Sequence, residues 1–338
     1  MHVDRAVLTI TTLTMNPAID ASTSVPYVLP DRKLRCRPPR HEPGGGGVNV
    51  ARAVRRLGGD AEAWFPVGGP GGELLTRLVD AEGVRQRAVP VAVWTRENVN
   101  VFEEVSGRQF RFCMPGAAIR EDEWQALIAG LQRLDPPPDF LVASGSLPPG
   151  VPSDFYARLA VAARARGSRV VLDTSGEALA LAVEGGVYLL KPSLRELQSL
   201  MGERDLDEAS LVQAAGMAIE RGWCDVLVLS LGAGGALWRT ASEGERLAAP
   251  TVRVRSSVGA GDSMVAGIVL ALAQGRPLRD AVRFGVAAGA ATVMNPGTEL
   301  CHREDVDRLY RQVTVASGEG QPRRDGEVPE GGGTRAGC

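Results

Sequence analysis

An aspartate set between a glycine pair and a long apolar run is the residue of this chain best placed to do chemistry. The segment Ser257-Val258-Gly259-Ala260-Gly261-Asp262-Ser263 leads straight into a helical stretch from Met264. Gly259, Ala260 and Gly261 let backbone N–H groups converge where that helix starts, and unpaired donors at the positive end of a helix suit an anion. Asp262, in the first turn, is then either a cap or a base that takes a proton from an attacking hydroxyl while the amides hold a transferring phosphoryl group.

A second glycine cluster, Gly44 to Gly47, opens another helix at Val48-Asn49-Val50. Backbone without side chains permits close approach of a small polar ligand, although a flexible linker has the same composition. The dinucleotide pattern Gly-x-Gly-x-x-Gly fails here because Asn49 takes its last place, and no Walker-type Gly-x-x-x-x-Gly-Lys-Ser/Thr occurs. Asp20 follows the first expected strand, where a carboxylate either accepts bonds from sugar hydroxyls or caps a turn. Lys33, Arg35, Arg96 and Arg111 form a basic set suited to a phosphate, or else are exposed strand charges. Ser144 and Asp173 each end an expected strand, and the turn from Ser230 through Gly232 to Gly235 either contacts a nucleotide or is a plain turn. The three histidines, His2, His41 and His302, show no metal or triad spacing.

The elements that must position these residues alternate. Apolar runs at 6–13, 63–67, 140–144, 169–173, 187–191 and 225–230 predict buried strands. Amphipathic segments at 48–57, 72–82, 121–134, 153–166 and 208–221 predict helices between them. This alternation implies an α/β fold, a doubly wound, mostly parallel sheet flanked by helices. Residues 21–41 and 94–114 break the pattern with alternating polar and apolar positions, which predicts a small separate β-sheet acting as a lid over the ligand crevice. Residues 261–274, 278–294 and 303–313 read as helices. The expected organisation is one domain over 1–315 and a disordered tail over 316–338, where no apolar pattern remains.

Composition removes several function classes. With 38 Lys plus Arg against 40 Asp plus Glu, the formal charge of -2 offers no global field for nucleic acid or an anionic membrane. Uncharged apolar stretches fall short of the roughly 18 residues of a membrane span. Five scattered cysteines, with no Cys-x-x-Cys, indicate neither a disulfide framework nor zinc, and a cytoplasmic location is expected. Only Lys33 and Lys191 are lysine among the basic residues. A compact ammonium is not replaced by a planar guanidinium without consequence, which makes both candidates for phosphate contact.

In their order, the glycine-rich helix start, Ser144-Gly145-Ser146-Leu147-Pro148-Pro149-Gly150, Leu190-Lys191-Pro192-Ser193 with Glu196, and Gly259-Ala260-Gly261-Asp262 resemble the ribokinase-like, or phosphofructokinase B, family of sugar kinases. Lys33-Leu34-Arg35-Cys36, Trp94-Thr95-Arg96-Glu97-Asn98, Arg111 to Gly116 and Arg283 to Gly289 resemble its fructose 6-phosphate branch. The resemblance spans about residues 8–310. It implies ATP-dependent phosphorylation of fructose 6-phosphate at the 1-hydroxyl, with Asp262 as base and Gly259 to Gly261 as anion hole. It places Asp20, Gly45, Gly46, Gly47 and Asn49 on the sugar, and Lys33, Arg96 and Ser144 on its phosphate. Lys191, Ser193, Ser230, Gly232 and Gly235 would meet ATP, with Glu196 near the magnesium. It also suggests a potassium site from Ser256, Val258, Thr292, Asn295, Gly297 and Glu299, and a homodimer through the lid strands. Ser193 stands where the family pattern has asparagine. The 1-phosphofructokinase and tagatose-6-phosphate kinase branches, the alternative readings, carry lysine where this chain has Gly46. A non-catalytic sugar-phosphate sensor on the same fold is the alternative from another class.

Overall fold

The computed structural model describes residues 8–203 and 207–315. The chain forms β1 (Ile10–Leu13), β2 (Ala18–Val25), β3 (Arg40–Gly44), α1 (Gly46–Arg56), β4 (Glu62–Val67), α2 (Gly69–Ala81), β5 (Arg85–Pro90), β6 (Arg96–Glu103) and β7 (Gln109–Phe112). It continues with α3 (Glu121–Gln132), β8 (Phe140–Ser144), α4 (Phe155–Ala165), β9 (Arg169–Asp173), α5 (Gly176–Glu184), β10 (Val187–Leu190), α6 (Leu194–Met201) and α7 (Glu208–Glu220). The last part holds β11 (Cys224–Ser230), β12 (Ala236–Arg239), β13 (Gly244–Ala248), α8 (Ala260–Ala273), α9 (Leu278–Thr292), α10 (Arg303–Tyr310) and β14 (Thr314–Val315).

Ten strands make the main sheet in the order β14-β13-β12-β11-β10-β9-β8-β1-β4-β5. From β11 to β5 every neighbouring pair is parallel, and the other edge closes with antiparallel β12, β13 and β14. Successive strand residues point to opposite faces, and the core divides accordingly. Phe140, Val142, Val171, Val226 and Val228 pack beneath α1, α2, α8 and α9, while Leu141, Ala143, Val170, Leu172, Leu227 and Leu229 pack against α3, α4, α5 and α7. Both faces are covered, which is why these strands read as continuous apolar runs.

The strand order reverses between β1 and β8. On one side the chain runs outward through β4 and β5, and on the other through β9, β10 and β11. Connections leave such a point in opposite directions and open a crevice at the carboxyl ends of the strands. A second sheet, β3-β2-β6-β7, contributes the lid. It starts earlier than the sequence pattern implied: β2 begins at Ala18, so Asp20 belongs to a lid strand rather than to the turn after β1, and no strand occupies residues 26–39. The short helices α5 and α6 and the polar edge strand β5 went unread, as did β12 to β14, and α10 ends at Tyr310, short of 313. The expected tail over 316–338 lies outside the described residues.

α8 crosses α9 at glycine. A Cβ on Gly285 would come within 2.7 Å of the Met264 carbonyl oxygen and 2.5 Å of Ile268, and one on Gly267 would come within 2.9 Å of the Gly285 Cα. Backbone cannot yield as a side-chain tip does, so Gly285→Ala should push α9 away from α8 and cost about 1–3 kcal/mol. A urea midpoint that does not move would show that the two helices have slack at this crossing.

Candidate active site

Helices α1 and α8 both start at the crevice. Gly259 takes φ +75° as the residue before α8, a conformation that a side chain would strain. No side chain caps that end; Ala260 N–H reaches back to the Ser257 carbonyl at 3.5 Å, and the helix start is left as a positive terminus beside Asp262. Asp262 sits in this turn and accepts a hydrogen bond from Asn49 Nδ2 at 2.9 Å. Burial first, and then the neighbouring Asp173 charge, push its carboxyl up to about 7, against the opposing effects of Asn49 and Lys191. Its proton therefore comes and goes near neutrality, as suits a general base.

The glycines of α1 are required by space. Gly45 has φ +108°. A Cβ on Gly46 would lie 2.2 Å from Ser144 Oγ, and one on Gly47 would lie 2.5 Å from the Leu13 carbonyl. The start of α1 thus presses against the ends of β1 and β8 at the reversal point. Across from it, Asp20 is 7% exposed and accepts from Asn98 Nδ2 at 2.8 Å. Burial raises its carboxyl, opposed by the Asn98 bond and by the charges of Arg111, Arg52 and Arg96. Arg96 is held by the carbonyls of Asn16 and Met114. Lys33 is exposed in the irregular stretch between β2 and β3.

Lys191 follows β10 and is 5% exposed, with Nζ 3.1 Å from Asp173 Oδ1. Burial works to lower its basicity, but Asp173, Glu196 and Asp262 outweigh that and keep the ammonium charged. A Cβ on Gly261 would lie 3.5 Å from Nζ and 3.8 Å from the Asp173 carboxylate, so the pair rests against the first turn of α8. Asp173 is the site residue that the motifs did not single out, and the signal available for it was its position at the end of β9. Ser193 caps α6 by a reciprocal arrangement: its hydroxyl accepts from the Glu196 N–H, and the Glu196 carboxylate accepts from the Ser193 N–H at 2.7 Å. Ser230 hydrogen-bonds Pro192 O and leads into a tight turn with Gly232 at φ +58° and Gly235 at φ +89°.

Of the residues singled out for potassium, Ser256 donates to the Gly297 carbonyl at 2.6 Å and accepts from the Val258 N–H. Thr292 turns its hydroxyl to Ser263 and Ala288. The Asn295 amide donates to Leu300 O, and Glu299 is engaged by Arg40 and His302. The acceptors here are oxygens, mainly hydroxyl and carbonyl, and not the thiolates and imidazoles that suit a transition metal. Among the described residues no three His, Cys, Asp or Glu side chains group as a metal cage, and no helix is long and apolar enough to cross a membrane.

Comparison with known proteins agrees with this geometry. The family model of pfkB family carbohydrate kinases matches residues 8–305. The ATP-dependent 6-phosphofructokinase isozyme 2 of Mycobacterium tuberculosis is 44% identical over 312 residues, covering 92% of each chain. Phosphofructokinase-2 from Escherichia coli, crystallised with potassium, superposes with a TM-score of 0.87 at 42% identity, over 90% of this chain and 99% of its own. The same enzyme crystallised with substrates and products gives a TM-score of 0.86. A crevice at the strand reversal, two helix starts facing into it and a carboxylate held near neutrality, taken with a match that runs almost end to end, make this chain a member of the pfkB family of carbohydrate kinases.

Proposed function

We infer that the chain transfers the γ-phosphoryl group of ATP to the 1-hydroxyl of fructose 6-phosphate, giving fructose 1,6-bisphosphate and ADP. The observation that carries this reading is Asp262 itself, a carboxylate poised near neutrality on the first turn of α8, at a helix start that no side chain caps. Asp20, Asn49 and the Gly45 to Gly47 backbone orient the sugar, with Arg96 and Ser144 at its phosphate. As Asp262 takes the 1-hydroxyl proton, that oxygen attacks the γ-phosphorus and the bond to the β-phosphate oxygen breaks, with ADP leaving. The amides of Gly259 to Gly261 meet the transferring group. Lys191, Ser193 and the turn from Ser230 to Gly235 hold ATP. Glu196, whose charge reaches Asp173, fits the oxygen ligation of magnesium. Bound with ATP, that ion would offset phosphate charge.

Residues 8–315 act as one kinase domain beneath its lid, in the cytoplasm where ATP is available. Tyr27, Leu29, Phe102, Val105, Phe112 and Met114 are exposed on or beside the lid strands, and the lid of a second copy would cover them in a homodimer. Potassium at the loop of Ser256 and Gly297 would fix the entry to α8 without touching the reacting atoms.

Three measurements test this reading. Asp262→Asn should lower kcat by at least ~10², and it should abolish an acid limb at which wild-type activity falls as pH drops through about 7. Near-normal turnover of the folded variant would remove Asp262 from the base role. The same raised pKa has a cost in stability. Between the ordinary 3.8 and about 7 the unfolded chain ionises this carboxyl while the folded chain holds its proton, so wild-type stability should decline as pH rises across that window. Asp262→Asn should not show that decline, and parallel slopes for the two proteins would contradict the burial argument.

The third measurement concerns the acceptor. ADP release with fructose 6-phosphate, fructose 1-phosphate and tagatose 6-phosphate, each with and without potassium, should favour the first. Gly46→Lys should abolish use of all three rather than redirect it, because Ser144 already occupies the space. Preference for another acceptor would keep the chemistry and change the substrate, while sugar-phosphate binding without ADP release would mark a sensor.

A further inference from the structure

Arg52, on the second turn of α1, is 0% exposed. All five of its N–H donors are nevertheless used. Nε donates to Glu82 Oε1 at 2.9 Å, and Nη2 is shared between Glu82 and, at 3.5 Å, Glu42 Oε1. Nη1 donates to the Pro43 carbonyl at 2.7 Å and to Asn49 Oδ1 at 3.0 Å. The last bond determines how Asn49 faces the site. The two ends of an amide have nearly the same shape and are told apart only by their partners. A guanidinium can only donate, so Asn49 must present oxygen to Arg52, which leaves Nδ2 as the end that meets Asp262.

We propose that Arg52 is a positioning residue for phosphoryl transfer: it locks the Asn49 amide so that a donor faces Asp262. The buried guanidinium is fixed from outside the crevice, by β3 through Glu42 and Pro43 and by the end of α2 through Glu82. With that fork in place, Asn49 stabilises the ionised base and holds it toward the crevice. Without it the amide is free to turn its oxygen to the carboxylate, where two acceptors repel. The proposal rests on Asp262 being the base.

Arg52→Lys separates fork from charge. Lysine keeps the positive charge that Glu42, Glu82 and the more distant Asp20 experience, but it has three donors on one atom and cannot span the same partners. The other charged groups facing Asp262, namely Asp173, Lys191 and Asp20, are left as they are. The expected result is a kcat lower by about tenfold or more, with the acid limb of the rate profile displaced above its wild-type position because the ionised base has lost its donor. In an Asn49→Ala background, Arg52→Lys should add no further change in kcat or in the acid limb. A purely structural role would lower the urea midpoint and leave the limb in place.

A folded Arg52→Lys protein with normal kcat and an unmoved limb would overturn the proposal, as would an effect of equal size in the Asn49→Ala background. If Arg52→Lys does not fold, Glu82→Gln, which weakens the outer hold on the guanidinium, is measured in the same way and should move the limb in the same direction; an unmoved limb there would overturn the proposal too. Asp262→Asn run alongside distinguishes the two failures. An active Asp262→Asn defeats the base assignment, whereas an inactive one beside an unaffected Arg52→Lys defeats only the role of Arg52.

Discussion

The hydrogen bond between Asn49 and Asp262 joins the starts of two helices separated by 213 residues of chain, and the crevice depends on both ends staying where that bond puts them. Each helix start is independently constrained. α1 is pressed against β1 and β8 through glycines that admit no side chain, and α8 is held against α9 at Gly267 and Gly285. An error at either packing surface would therefore be felt as a displaced carboxylate. Catalysis that relies on placing a hydroxyl in line with a phosphoryl group tolerates little of this, since most of its advantage is geometric.

Burying charge beside a base is costly, and the chain uses pairing to contain it. Lys191 and Asp173 form one such pair at the site, and Arg52 with Glu42 and Glu82 forms another behind it. Glu82 shows the balance. Burial acts to raise its carboxyl, yet the bond and charge of Arg52, with Arg56, bring it below the ordinary value. Asp262 has no such dedicated cation in contact and rises to about 7. The difference is chemically useful, because a carboxylate neutralised by a guanidinium would be too weak a base to take a hydroxyl proton.

Sequence patterns revealed the central strands because both faces of the sheet are covered. Runs such as Phe140–Ser144 and Arg169–Asp173 have no polar face to confuse their reading. β5 and β13 escaped because they carry Arg, Gln and Glu where central strands carry Val and Leu, β12 and β14 because they are too short to establish an alternation, and α5 spans too few turns to establish a period. The glycine motifs and Asp262 were legible because their types are chemically unusual. Arg52 was not. Sequence offers no sign that one arginine among many is fully buried, and its role depends on Glu42 and Glu82, which approach it from different elements.

The lid is tied to the body at a point that matters for the same site. Glu42, on β3, accepts from Thr298 at 2.6 Å with one oxygen and lies beside Arg52 with the other. Arg40 reaches Glu299, and Gln109 on β7 donates to the Arg255 carbonyl. The loop of Arg255 and Thr298 and the lid sheet that carries Asp20 are thereby joined to the guanidinium that orients Asn49. Movement of the lid about β3 cannot occur without disturbing a carboxylate shared between Thr298 and Arg52. Under the proposed function, a lid position that brings Asp20 to the sugar must also be one in which Glu42 keeps its hold on Arg52.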